Sequence, residues 1–497
     1  MILNMIYSDH KKKYIRANEI SVCLSRDNAI LYNPSTNQKK TINPTAFFIW
    51  KRLDGIHTID DISKSIMEHF ESAPHGEIFQ DVCDFLSELY DQKYIEQSDN
   101  RSVIELQGEY PNIHDRPGEF DISLTGKCNL HCDYCFYAKE MKTRSDLPKE
   151  EWFTFFDELG SLAVRNLTLS GGEIFVRTDL WELIDHLIYN RMRYSILTNG
   201  TLITKKTLSF FEKGKRRQRL NSIQVSIDGS CPEIHDKSRG NGSFKRAIRG
   251  LRLLKEAGFP VTCRVTVNRF NVDDLENIAC LLLEDIGLDS FGTNDAMPMG
   301  AGCENQTSIT LLPGQKLKAM EILHYLEKKY EGRIMASAGP LAKWKAYGEM
   351  EHARATGKKT SRWRMGYLSA CGCMFNKLAV HHDGVISPCN MLPGLEIGTI
   401  NQNSIKTIWK TSPILKALKE RHKIPMHKVP GCEACEWAPY CNGSCPGLAY
   451  TMTGDFNRAN PHDCYMLFLN ETGLKSSTVS WKISKISKQE LSTKHEI

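Results

Sequence analysis

Gly126-Lys127-Cys128-Asn129-Leu130-His131-Cys132-Asp133-Tyr134-Cys135-Phe136-Tyr137 is the stretch on which the reading of this chain turns. It places three thiols within eight residues, directly after an apolar segment, 120–124, that reads as a strand. A four-iron cluster takes four thiolates, so three from one loop leave one iron open to another ligand. Two plainer readings compete: a zinc site that borrows His131, and three unconnected thiols. The setting favours the cluster, because a loop that follows the first strand of a βα unit lies at the carboxyl end of the sheet, where such folds carry their chemistry.

Outward from that loop, apolar strand-like segments at 120–124, 166–170, 193–198, 222–227, 261–267 and 290–294 alternate with helical ones. The alternation predicts an α/β fold with parallel strands, and six of them suit a partial (β/α)6 TIM-type barrel better than a closed eight-stranded one. Repetition alone does not separate a barrel from a doubly wound sheet, so the motifs arbitrate. Ser170-Gly171-Gly172-Glu173 follows the second strand, Thr198-Asn199-Gly200 the third and Ser226-Ile227-Asp228-Gly229 the fourth, with Arg239 shortly after. Each alone is more often a turn or a surface ion pair. Four in register at the carboxyl ends are not a coincidence of turns.

The C-x3-C-x2-C spacing with an aromatic before the last cysteine resembles the signature loop of the radical S-adenosylmethionine (SAM) superfamily. That resemblance implies a [4Fe-4S] cluster on Cys128, Cys132 and Cys135 whose open iron binds SAM, and reductive cleavage of SAM to a 5′-deoxyadenosyl radical. It also implies cofactor contacts: Tyr134 near the adenine, Gly171, Gly172 and Glu173 for the methionine amino group, Thr198 and Ser226 for ribose or the methionine carboxylate, and Arg239 for that carboxylate. Glycine permits close backbone approach, and a carboxylate supplies the counter-charge of an ammonium.

The chain has 497 residues and 17 cysteines, with 41% hydrophobic and 25% charged residues, the mixture of a globular protein of about three domains. Its net charge of +5 is spread thinly, so nucleic acid is not implied. No long apolar run and no signal peptide are present, which predicts a cytoplasmic protein without a membrane anchor. Eleven cysteines fall in two clusters; Cys23, Cys83, Cys231, Cys263, Cys280 and Cys303 are isolated and read as ordinary buried residues.

The second cluster comprises Cys371, Cys373, Cys389, Cys432, Cys435, Cys441, Cys445 and Cys464. A zinc ribbon would explain one C-x2-C pair but not this number of thiols. The pattern C, G-x4-C, gap, C-x2-C-x5-C-x3-C, gap, C resembles the SPASM domain. It implies two auxiliary iron–sulfur clusters, one on Cys373, Cys389 and Cys445, the other on Cys432, Cys435, Cys441 and Cys464. Cys371 leaves the first cluster with three or four protein ligands. Where sulfatase maturases of this family place a catalytic Asp, this chain has Asn390, which does not take a proton at neutral pH.

Residues 15–97 read as short strands at 20–24, 29–32 and 93–96 around three helices, opened by Asn43-Pro44, by Thr58 and near Ile78, with Phe47 and Trp50 facing a core. Ile42-Asn43-Pro44-Thr45-Ala46-Phe47-Phe48-Ile49-Trp50, with Leu53-Asp54-Gly55 and Thr58-Ile59-Asp60-Asp61-Ile62, resembles the winged-helix, peptide-binding domain of the pyrroloquinoline quinone biosynthesis D protein. A DNA-reading winged helix is disfavoured by Asp60, Asp61, Glu68, Glu71, Glu77, Asp81, Asp84 and Glu88 on the candidate helices. The expected organisation is therefore a winged-helix domain (15–97), a linker (98–118), the barrel (119–300), a helical connection (301–370), the cysteine domain (371–466) and a tail (467–497). The resemblances imply an oxidoreductase that modifies a precursor peptide, takes electrons from a reduced flavodoxin- or ferredoxin-type donor, and forms a thioether or other crosslink. Sulfatase maturation and an electron-carrying scaffold are the competing readings.

Overall fold

The computed structural model describes residues 11–70, 75–98, 110–142 and 145–475. No described helix is long and apolar enough to cross a membrane. Two compact units emerge: one of residues 1–118, 153–166 and 185–193, the other of residues 119–152, 167–184 and 194–497.

In the first unit, β1 (Lys13–Arg16), β2 (Ser21–Ser25), β3 (Asn28–Asn33), β4 (Gln38–Ile42), β5 (Asp54–Thr58) and β6 (Ile95–Gln97) form two three-stranded sheets, ordered β5-β1-β6 and β2-β3-β4. Three helices follow, Pro44–Lys51, Ile59–His69 and His75–Asp91, and the first two start where capping chemistry puts them. Asn43 Oδ1 accepts from Ala46 N at 2.8 Å, and Thr58 and Asp61 form a reciprocal capping box, a device worth about 1 kcal/mol. The buried core runs only from Tyr14 to Ile95 and includes Trp50, Leu53, Val82, Leu86 and Tyr94. Trp50 is core as expected, whereas Phe47 is half-buried and meets Tyr110 edge-on at 5.3 Å. β1, β4 and β5 are additions to the sequence reading. β4 reads QKKTI and shows mostly exposed side chains, so it carries no apolar alternation to announce a strand. Among the described residues it pairs with β3 alone, leaving a sheet edge. Within the linker, the apolar residues 103–106, which the sequence suggests as a short strand, lie outside the described residues.

The second unit holds a ten-stranded sheet. Its strands are β7 (Glu119–Ser123), β8 (Asn166–Ser170), β9 (Arg193–Thr198), β10 (Leu220–Ser226), β11 (Val261–Val267), β12 (Phe291–Asp295), β13 (Ile334–Ala336), β14 (Lys377–Val380), β15 (Val385–Ser387) and β16 (Gly398–Thr399). The order is β13-β12-β11-β10-β9-β8-β7-β14-β15-β16. β7 to β12 are the six strands that periodicity predicts, and the pairings of β9 through β13 are parallel. The sheet does not stop at six, however. β13 extends one edge, and β14 from the cysteine domain lies parallel to β7 on the other, followed by the antiparallel pairs β14-β15 and β15-β16. Each of these extra strands has two to four residues, too short to show a period. Helix Pro313–Lys329 lies in the stretch expected to be helical, and Gly339–Thr356 packs beside it through Trp344, Tyr347 and Met350.

Of the six isolated cysteines, Cys23, Cys83 and Cys263 are buried. Cys231 and Cys280 are partly exposed and Cys303 is exposed, which corrects the expectation for these three. Cys231 is the N-cap of Pro232–Arg239, and Cys303 sits on the one-turn helix Ala301–Glu304, so neither position is walled on all sides.

Candidate SAM and iron–sulfur sites

The three-cysteine loop leaves β7 and is fixed from several sides. Asp146 accepts from Thr125 Oγ1 at 2.6 Å and from Gly126 N at 2.7 Å. Asn129 Nδ2 donates to Thr201 Oγ1, and Asn199 Nδ2 donates to Asn129 Oδ1, both at 2.9 Å. At the loop's end Ala301 N donates to Cys135 O at 3.0 Å and Asn305 Nδ2 to Asp133 O at 3.0 Å. His131 is exposed.

Gly171 and Gly172 follow β8 and lie against this loop. Gly172 N donates to Thr125 O at 2.8 Å and Glu173 N to Lys127 O at 2.9 Å. Gly171 has φ +145°, and a Cβ on either glycine would stand 2.3 Å from a backbone oxygen, that of Thr125 or of Lys127. Glycine is therefore required by backbone approach. A Cβ at 172 would also meet Cys128 Cβ at 2.9 Å, so Gly172→Ala should displace the first thiol. The expected outcome is loss of most of the iron held by this loop while the C-terminal cysteines still assemble theirs; full iron and parental SAM cleavage would contradict it.

Glu173 is nearly fully buried and acts as a brace: it accepts from Thr198 Oγ1 and Asn199 N at 2.7 Å, and from Phe175 N at 3.2 Å. Burial pushes its carboxyl above the ordinary range, and these hydrogen bonds oppose that rise. Thr198 is thus tied to Glu173, whereas the Ser226 hydroxyl, at the end of β10, meets no protein hydrogen-bond partner among the described residues.

Tyr134 and Arg239 come together on Asp228. The Tyr134 hydroxyl donates to Asp228 Oδ2, Arg239 Nε donates to the same oxygen at 2.5 Å, and the guanidinium lies 5.4 Å from the Tyr134 ring centroid. Asp228 Oδ1 also accepts from Thr266 N, while Asp228 N donates to His235 Nδ1 at 3.1 Å. Burial, and then the Arg239 charge, depress the His235 pKa to about 4, which keeps that ring neutral and able to accept. Among the described residues no acceptor meets the terminal nitrogens of Arg239, so its fork is free for a second anion.

Burial dominates the loop thiols: Cys128 and Cys135 are pushed up to about 11, and Cys132 is raised as well. Such a pocket favours thiolates only when a cation accompanies them. An iron cluster supplies that charge, so the donor set fits.

In the C-terminal domain, Cys432, Cys435, Cys441 and Cys464 line one pocket with Met350, Trp437 and Tyr465. The four thiols surround a space instead of converging on a point, which fits a polynuclear core. Among the described residues no three His, Cys, Asp or Glu side chains close on a single ion. Burial raises Cys432 to about 11 and Cys441 to about 12. Cys389 and Cys445 are electrostatic neighbours, and Cys445 is pushed up to about 11 by burial. Cys371 is exposed, and the Cys373 side chain lies outside the described residues. The Asn390 Oδ1 is buried without a hydrogen-bond partner.

Sequence reasoning missed three clusters. Tyr137 Oη lies 2.8 Å from His382 Nδ1 and stacks on His381, which joins the SAM loop to β14. Lys343, buried, pairs with Asp295 at 2.9 Å and Asp463 at 2.8 Å, and His462 Nε2 lies 3.0 Å from Asp295, tying the end of β12 to the turn before Cys464. Arg421 is fully buried among the cysteine loops. Each joins residues more than a hundred positions apart or a single unmotivated charge, so no local spacing marks them.

The family model described as the radical SAM superfamily matches residues 122–282, the span from β7 through β11 that carries the three-cysteine loop, the Gly-Gly-Glu, Thr-Asn-Gly and Ser226–Gly229 turns and Arg239. The chain carries a radical SAM domain. The PqqD model (coenzyme PQQ synthesis protein D) matches residues 28–95, and the SPASM iron–sulfur cluster-binding model matches residues 371–436. This radical SAM chain is therefore an iron–sulfur enzyme with a PqqD-type domain before its barrel and an auxiliary-cluster domain after it. An AdoMet-dependent heme synthase of Methanosarcina barkeri is 28% identical over 69% of this chain and 95% of its own length. The antilisterial bacteriocin subtilosin biosynthesis protein AlbA of Bacillus subtilis is 23% identical over 81% and 83%. In fold, the chain is similar to SuiB of Streptococcus suis bound to the precursor peptide SuiA, at a TM-score of 0.61 and 14% identity, over 91% of this chain and 100% of that one.

Proposed function

We propose that this protein is a peptide maturase that couples reductive SAM cleavage to oxidative crosslinking of a ribosomally made precursor peptide in the cytoplasm. The observation that carries the reading is the PqqD-type unit with its own core and an edge of β4 that, among the described residues, no strand pairs. An extended leader can add a strand to such an edge through main-chain hydrogen bonds, leaving side chains to set specificity.

When bound, SAM on the Cys128–Cys132–Cys135 cluster supplies the radical that abstracts hydrogen from the peptide. The chain's part is positional. Gly171 and Gly172 bring backbone up to the loop, Glu173 and Thr198 hold the neighbouring strand ends, Ser226 offers a free hydroxyl, and Arg239 offers its outer nitrogens to the methionine carboxylate. Tyr134, pinned by Asp228, walls the adenine side. Cys432, Cys435, Cys441 and Cys464 hold one auxiliary cluster; Cys373, Cys389 and Cys445, with Cys371 as a further candidate, hold the other. Electrons come from a reduced flavodoxin- or ferredoxin-type donor.

Leader-bearing precursor supplied with SAM and dithionite should lose hydrogen on crosslinking, and a leaderless core peptide should turn over at least tenfold more slowly in the micromolar range. Equal rates would remove peptide recognition from the reading. A second reading, a heme-synthase-like reaction, is favoured by the 95% of the Methanosarcina barkeri protein that the chain spans. It requires tight binding of an iron porphyrin, which a Soret titration reads directly.

A further inference from the structure

Arg421 is fully buried, yet among the described residues no carboxylate pairs with it. All its partners are main-chain carbonyls: Nε donates to Phe456 O at 2.6 Å, Nη1 to Ser369 O and to Ser444 O at 3.3 Å, and Nη2 to Arg458 O at 2.8 Å. Neutral acceptors satisfy its donors without cancelling its charge, and an uncompensated buried cation is costly. The neighbouring groups able to carry negative charge are Cys445, Asp455, Cys371 and Cys441. Three of those four are thiols of the auxiliary domain.

The carbonyls are also placed to matter. Ser369 stands two residues before Cys371, and Ser444 immediately before Cys445. A trans peptide plane points its N–H opposite to its carbonyl. Holding Ser369 O and Ser444 O therefore turns the amides of Ala370 and Cys445 away from the guanidinium. Neither amide meets a protein acceptor among the described residues. Both are free donors beside candidate ligands, and amide donors and positive charge near the sulfurs raise an iron–sulfur potential.

We propose that Arg421 is the electrostatic anchor of the auxiliary cluster formed on the Cys389–Cys445 side: a positioning residue that raises the cluster's reduction potential by its charge and by the two amides it orients. This rests on the iron–sulfur reading of the C-terminal domain. In a cluster-free chain the same buried cation would keep only the Asp455 carboxylate as a nearby counter-charge, so loading and stability of this domain are coupled.

The test is a redox titration followed by electron paramagnetic resonance. It uses full-length chain with Cys128, Cys132 and Cys135 replaced by Ala, so that only auxiliary clusters report. Arg421→Gln should shift one of the two signals to a more negative potential and leave the other close to its parental value. Arg421→Lys, which keeps the charge, should retain most of the parental potential. Loss of that one signal in the Gln variant with its retention in the Lys variant also supports the proposal. An unmoved potential in Arg421→Gln at full iron content would overturn it, as would loss of iron in both variants, which would show a purely geometric role. If the parent itself held iron for fewer than two auxiliary clusters, the reading beneath would fail instead, and iron analysis distinguishes the two.

Discussion

Replacing Cys128, Cys132 and Cys135 together with Ala should abolish formation of 5′-deoxyadenosine to below detection, while about two-thirds of the iron remains. All three thiols sit on the one loop braced by Asp146, Asn129 and the Gly171–Glu173 turn, and Cys303, on the helix Ala301–Glu304 that meets the loop's end, is exposed. The auxiliary thiols belong to a separate pocket with its own walls, Trp437 and Tyr465 among them. The count follows from about three four-iron clusters in the parent, one of which is removed. Iron analysis and chromatography of the reaction check both halves. SAM cleavage at the parental rate would place the radical site elsewhere, and loss of nearly all the iron would show that the clusters assemble interdependently.

Removing residues 1–97 should leave dithionite-driven, uncoupled SAM cleavage close to parental and lower modification of a leader-bearing peptide by about a hundredfold under dilute conditions. The apolar core of this segment is self-contained between Tyr14 and Ile95, and it contributes no cluster ligand. A tether raises the local concentration of a core peptide to roughly the millimolar range, so its loss matters most when peptide is micromolar. Arg165 and Arg193 donate to Cys23 Sγ at 3.0 Å and Pro34 O at 2.6 Å within the same unit, and truncation uncovers both. Retained SAM cleavage is therefore the control for an intact barrel. Leader-bearing peptide processed at the parental rate would take recognition away from this unit.

What was legible in the sequence divides along physical lines. The six barrel strands are largely buried and five to seven residues long, enough apolar sequence between helices to declare them. The cysteine, Gly-Gly-Glu and Thr-Asn-Gly signals follow strands because chemistry at carboxyl ends leaves short local motifs. β13 to β16 were silent because two to four residues carry no period. β4 was silent because an edge strand with Lys39 and Lys40 looks like a loop. In the sequence Asp228 is only a member of the motif that follows the fourth strand, and its place as the joint between Tyr134 and Arg239 needed coordinates. Arg421 was invisible for a different reason. A lone arginine is ordinarily a surface residue, and only its complete burial among cysteine loops gives it meaning.

The central claim is that radical formation at the Cys128–Cys135 loop is spent on a peptide held by the PqqD-type unit. Its most direct test is a single anaerobic reaction of full-length protein with SAM, dithionite and a leader-bearing peptide deuterated at the candidate crosslinked positions, read by mass spectrometry of both products. The account predicts deuterium in 5′-deoxyadenosine, in proportion to peptide that has lost it. 5′-Deoxyadenosine that carries no deuterium while the peptide stays unmodified, for every leader-bearing candidate that binds, would contradict it.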